Sequence, residues 1–156
     1  MGIFLFIFPL LSFLLFQFFN QNLKIEVLYV INIIIYGFCF LLSLFIFIKI
    51  LNLDKDIPLF LFTLIKYDHL FIDWSLRFDL FVSGLIVLIT VIGFLLTIFS
   101  INFKKNHLPD FKINCYLSLS IFSVLVLITS NNLFQFFLAW YLVILSTYLI
   151  CNISEN

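Results

Sequence analysis

Charge is the first thing this sequence lacks. Only 10 % of its 156 residues are Asp, Glu, Lys or Arg, against about a quarter in a soluble globular domain, which excludes a soluble fold. The scarcity is also ordered: no charged residue occurs from Met1 to Leu23, from Val27 to Ile48, from Leu80 to Phe103, or from Ile113 to Ser154. With no Asp, Glu, Lys or Arg inside these runs, nothing could hold an ion between two aqueous phases, so the chain alone is read as moving none. The runs also lack a nucleophile with its acid-base partner, a phosphate loop and a haem-ligating histidine. No catalytic, metal or cofactor site is therefore expected within this chain. Eight basic residues balance eight acidic ones, which leaves no footprint for a nucleic acid. Cysteine is rare, and Cys39, Cys115 and Cys151 are too far apart for ligand or redox spacing, so they read as small packing residues. No basic residue precedes the first apolar run and residue six is Phe6, which supports neither a secretory signal nor myristoylation.

What is present is apolar. Hydrophobic residues make up 65 % of the chain and the mean hydropathy is +1.27, the signature of an all-α polytopic membrane protein. At about 20 residues per crossing, the first three charge-free runs each hold one helix and the last holds two. Five transmembrane helices are expected, at about 3–19, 27–50, 80–103, 113–129 and 133–151, forming a single membrane domain over 1–156. There are 24 Phe residues, many Ile, Asn and Leu, and few Ala and Gly. These are residues an A+T-rich gene favours, so an organelle genome is expected to encode the chain.

The connection 51–79 differs from the rest. After the breakers Asn52, Asp54, Lys55, Asp56 and Pro58 come an apolar run from Leu59 to Lys66 and a turn at Tyr67, Asp68 and His69. Ile72, Trp74, Leu76 and Phe78 then alternate with Asp73, Ser75 and Arg77, a period of two that predicts a strand with one buried face. A β-hairpin on the membrane surface between helices two and three is the reading. Asp54, Asp56, Asp68, His69 and Asp73 lack compact ligand spacing and read as solvated loop residues, as does His107 in the later loop.

Polar positions on the helices read as contacts. Helix one, with Pro9 near its start, is aromatic all round and is expected to face lipid or protein without discrimination. Asn32, Tyr36 and Ser43 share one side of helix two. Ser83, Thr90, Gly93, Thr97 and Ser100 share an arc of helix three, a stripe of small residues that lets two backbones approach. The basic residues give no orientation: Lys49, Lys55, Lys66 and Arg77 fall on one side, Lys24, Lys104, Lys105 and Lys112 on the other.

The stretch Ser130–Ile150 carries most of the remaining polar groups: Asn131, Asn132, Gln135, Trp140, Tyr141, Ser146, Thr147 and Tyr148. From His69 onward the chain resembles the N-terminal part of NADH dehydrogenase (ubiquinone) subunit 5, the antiporter-like membrane subunit of respiratory complex I. The resemblance rests on Phe71 to Asp79, with Asp73, Trp74, Phe78 and Asp79. It continues in Asn114 to Phe122, and is closest in Asn131 to Trp140 with Gln135 between, followed by Leu145 to Ile150 with Ser146 and Tyr148. Helices one and two match in placement only. The resemblance implies a membrane-arm subunit of the mitochondrial inner membrane, surrounded by lipid and by other complex I subunits, in a complex that couples NADH:ubiquinone reduction to proton translocation.

Two departures qualify what it implies. In the family the residue after the Trp is a glutamate, implied to share a proton path with a lysine two helices later; here it is Tyr141, and Leu142 and Ile144 replace the flanking glycines. A phenol stays protonated at neutral pH and cannot cycle a proton as a tuned carboxylate does. The lysine-bearing helices would lie beyond Asn156. The expectation is a split subunit, with a second polypeptide supplying the later helices and Tyr141 and Tyr148 presenting hydroxyls on one face. A fragment of the paralogous subunit 4 or 2 remains open, although the Gln135 to Trp140 spacing favours subunit 5. So does a structural membrane protein of another organelle complex, such as ATP synthase.

Overall fold

The computed structural model describes residues 2–19, 25–53, 57–67, 70–103 and 111–154. They form α1 (Gly2–Phe19), α2 (Ile25–Leu53), β1 (Ile57–Tyr67), β2 (Leu70–Phe78), α3 (Leu80–Phe103), α4 (Phe111–Ile128) and α5 (Leu133–Ser154). The all-α membrane class, with a two-stranded sheet between α2 and α3, is the observed architecture. Three helices carry segments long and apolar enough to cross a bilayer: Val27–Asn52, Leu80–Ser100 and Leu133–Ile153. The other two of the five expected crossings are shorter. α1 and α4 have 18 residues each, about 27 Å at 1.5 Å per residue, just under a hydrocarbon core of about 30 Å.

α4 lies at the centre, packed on α1, α3 and α5, while α2 packs on α1 and α3. The core gathers Leu5, Tyr36, Cys39, Ile86, Leu125 and Ala139. α1 is more discriminating than its even composition suggests. Leu5, Pro9, Ser12 and Phe16 are buried at helical spacing, while Phe4, Ile7, Leu11, Leu14 and Phe18 are exposed. An apolar helix in an apolar solvent has no hydrophobic reason to choose a face, so shape and hydrogen bonding choose it. Pro9 also lies past the first turn, where it removes a helical bond to the Leu5 carbonyl. The Cys39 thiol of α2 donates to that same oxygen at 3.7 Å.

The small-residue stripe of α3 is buried, at Ser83, Thr90, Gly93 and Thr97, and α2 packs against α3. The Ser43 and Thr90 hydroxyls meet at 2.8 Å across that contact, and Gly93 receives the Tyr36 ring. Ser100 turns instead to α4 and donates to Asn114 Oδ1 at 2.6 Å.

The hairpin closes one end of the bundle. Its strands are antiparallel, pairing Ile57 with Phe78 and Leu59 with Leu76, with register shifts at Phe60/Phe62 and Thr63/Ile65. The alternation in β2 puts Leu76 and Phe78 in the core, where Phe78 meets the Phe6 ring edge-on at 6.5 Å. The expected turn residues Asp68 and His69, like Asp54, Asp56 and His107, lie outside the described residues.

Candidate functional site

The singled-out positions fall into two groups. The first surrounds the junction of β2 with the turn between α4 and α5. The outer edge of β2 would otherwise expose unpaired backbone groups, and the turn takes them up: Arg77 N–H donates to the Thr129 carbonyl at 2.9 Å and Leu76 bridges to Ser130. The Asn131 amide reinforces this, donating to Ser75 Oγ at 3.1 Å. Asp79 starts α3, with its Oδ1 accepting from Val82 N–H at 2.7 Å and its carbonyl from Ser83 N–H at 2.9 Å, and its Oδ2 lies 3.6 Å from Arg77 Nε. Asn132 stands in the same position before α5, with its carbonyl accepting from Phe136 N–H at 2.9 Å. Trp74 stacks on Phe62 at 6.0 Å. Asp73 is half-buried on β2, and its Oδ1 has no hydrogen-bond partner among the described residues.

The second group runs along α5. Gln135 is buried against the bundle, and neither end of its amide has a partner among the described residues. Ser146 is also buried and bonds back to the Val143 carbonyl at 2.9 Å. Trp140, stacked on Phe136 at 6.0 Å, is exposed, as are Tyr141 at 67 % and Tyr148 at 66 %. The main packing of α5 is against α4, so Tyr141 and Tyr148 lie on a face that the described residues do not cover. Asp73, Phe78 and Asp79 are not brought together with Tyr141.

A third cluster escaped the sequence. At the meeting of α1, α2 and α4, Ser12 Oγ donates to Asn32 Oδ1 and lies 2.9 Å from Ser118 Oγ, while Ser118 also reaches the Asn114 carbonyl at 2.8 Å. The Tyr36 hydroxyl lies beside both serines, but it and Asn32 Nδ2 have no hydrogen bond of good geometry among the described residues. Ser12 and Ser118 carry one hydrogen each: that of Ser12 goes to Asn32 Oδ1, so the single hydrogen of Ser118 is shared between Ser12 Oγ and the Asn114 carbonyl. Asn32 was visible as a contact residue; Ser12 and Ser118 were not, because nothing local marks which helices meet. The cluster contains no carboxylate or amine, so it can tie helices together but cannot hold a charge.

No protein-family model matches the chain. Curated relatives do match it. NADH-ubiquinone oxidoreductase chain 5 of Chondrus crispus is 35 % identical over 114 residues, 72 % of this chain and 17 % of the relative. Chain 5 of Acanthamoeba castellanii is 31 % identical over 152 residues, 94 % of this chain and 22 % of the relative. This chain is similar to part of NADH-ubiquinone oxidoreductase chain 5. Chain 5 of Talaromyces marneffei adds 25 % identity over 95 % of this chain and 22 % of the relative. The chain thus spans about a fifth of the length of the longer-matching chain 5 relatives. The similarity to chain 5 also reaches beyond the motifs that suggested it: a match over 94 % of the chain takes in helices α1 and α2, which the motifs had matched only in placement.

Proposed function

We propose that the chain is a membrane-arm subunit of respiratory complex I in the mitochondrial inner membrane. It corresponds to the N-terminal part of subunit 5 and is encoded by the organelle genome. The complex couples NADH:ubiquinone reduction to proton translocation. Within it this chain is a scaffold, with Tyr141 standing where the family carries its glutamate, on one wall of the half-channel.

One observation carries the reading. Tyr141 lies about 12 Å along α5 from Leu133, at 1.5 Å per residue, near the middle of a 22-residue helix. Its side chain is 67 % exposed, and its hydroxyl has no hydrogen-bond partner among the described residues. Left against lipid tails, that hydroxyl would be deprived of both water and protein, at a cost of about 2 kcal/mol or more. A further helix of the same assembly removes the cost, and similarity to chain 5 supports complex I as that assembly. The test is native electrophoresis of solubilised organelle membranes followed by mass spectrometry. The chain is expected to migrate with complex I. Migration with ATP synthase would overturn the assignment.

A further inference from the structure

A hollow of about 350 Å³ opens between α4 and α5 at the end of the bundle opposite the hairpin, lined by Lys112, Tyr116, Leu149, Asn152 and Ile153. We propose that it is a binding site for the headgroup of an anionic glycerophospholipid, held by Lys112 and Tyr116.

The placement comes first. Lys112 is in the first turn of α4, and Asn152 and Ile153 are in the last turn of α5. The mouth of the hollow therefore lies where two membrane helices end, at headgroup depth. Tyr116 follows Lys112 by one helical turn on the same face, and Leu149 precedes Ile153 by one turn. The lining thus runs from a cationic and amide rim to a phenol and then to branched apolar side chains, the order in which a phospholipid presents phosphate, ester and acyl chain.

The chemistry comes next. Lys112 is exposed and has no ion pair among the described residues, and the Tyr116 hydroxyl has no hydrogen-bond partner among them. A phosphate would accept a charge-assisted hydrogen bond from the ammonium group and a second from the phenol. The start of α4 also adds the positive end of its dipole. A free phosphate would use the same donors but leave Leu149 and Ile153 uncovered, which is why the lipid is the better occupant. The inference needs only that the chain lies in a bilayer, so it stands or falls separately from the complex I assignment.

The test uses the full chain in mild detergent, with phosphatidylglycerol, phosphatidylcholine or inorganic phosphate added and bound lipid counted by native mass spectrometry. One phosphatidylglycerol is expected to stay bound in preference to phosphatidylcholine. Lys112→Gln should lower its retention by about fivefold, Tyr116→Phe should lower it less, and Lys104→Gln with Lys105→Gln should change it little. Circular dichroism of each variant establishes that the helices are intact. Equal retention of the two lipids would overturn the proposal, as would equal loss from the Lys104 and Lys105 variant. Displacement of phosphatidylglycerol by equimolar inorganic phosphate would overturn the lipid and leave a free-phosphate site.

Discussion

The Cys39 thiol on α2 donates to the Leu5 carbonyl on α1 at 3.7 Å, the oxygen that Pro9 leaves without its helical partner. In lipid no water can serve that carbonyl, and a proline inside a membrane helix is tolerated where a neighbour supplies a donor. Cys39→Ala is therefore expected to loosen the α1–α2 contact by about 0.6 kcal/mol, the average for an interhelical hydrogen bond in a membrane. In a Pro9→Ala background the restored Ala N–H takes over, and the same cysteine substitution should cost nothing further. A double-mutant cycle on unfolding in mixed micelles reads this coupling directly. Additive effects would mean that the thiol only fills space.

Two glycines on facing helices should respond differently to the same added methyl. A Cβ at Gly93 would lie 2.9 Å from Ile121 Cδ1 and 3.2 Å from the Tyr36 ring. The Tyr36 ring is itself buried, at 1 % exposure, and has nowhere to retreat. Gly93→Ala is expected to cost about 1–3 kcal/mol through overpacking. A Cβ at Gly37 meets only Phe94, at 3.5 Å, an ordinary contact, so Gly37→Ala should be neutral or gain up to about 1 kcal/mol from helix propensity. The order of the two unfolding midpoints in mixed micelles checks the pair.

Those two glycines also show what could be read in advance. Gly93 belongs to a stripe with Ser83, Thr90 and Thr97, and a stripe is local information: a 3.6-residue repeat marks a packing face before its partner is known. The same holds for the alternation from Ile72 to Phe78, which announced a strand and put Leu76 and Phe78 inside. The partners were not legible. Nothing in the sequence says that Ser43 meets Thr90, that Ser12 lies between Asn32 and Ser118, or that Cys39 answers the proline of another helix. Each of these joins residues from different helices, and in a chain this uniformly apolar no burial pattern narrows the choice. The one-sided burial of α1 was missed for that reason. At the candidate site, spacing drew attention to Gln135 and Tyr141 alike; only the packing of α5 on α4 separates a buried amide from an exposed phenol.

Asp79 holds the hairpin to α3 mainly as a helix cap. Its Oδ1 accepts from Val82 N–H at 2.7 Å, whereas its contact with Arg77 is longer, at 3.6 Å, and the Arg77 side chain is 52 % exposed. An exposed ion pair contributes little, while loss of a capping side chain costs about 1 kcal/mol. Asp79→Ala should therefore lower stability by about that much and speed amide exchange at Val82. Asp79→Asn keeps the acceptor and loses only the favourable charge at the helix start, a few tenths of a kcal/mol. If Asn proved as damaging as Ala, the ion pair rather than the cap would be the main contribution.

Tyr141 distinguishes the isolated chain from the assembled one. Because its hydroxyl has no partner among the described residues, Tyr141→Phe should leave the unfolding of the purified chain unchanged. In the assembly a neighbouring helix is expected to accept from that hydroxyl near the middle of α5. Losing a membrane hydrogen bond of about 0.6 kcal/mol weakens association by about threefold. Detergent titration of the solubilised complex, followed on native gels, should show the variant released earlier. Tyr148 provides the control: it lies nearer the end of α5, where headgroups and water can serve its hydroxyl, so Tyr148→Phe should release little. If Tyr141→Phe weakened the isolated chain and left the assembly untouched, the phenol would be serving this chain's own bundle, and the uncovered face of α5 would no longer argue for a partner helix.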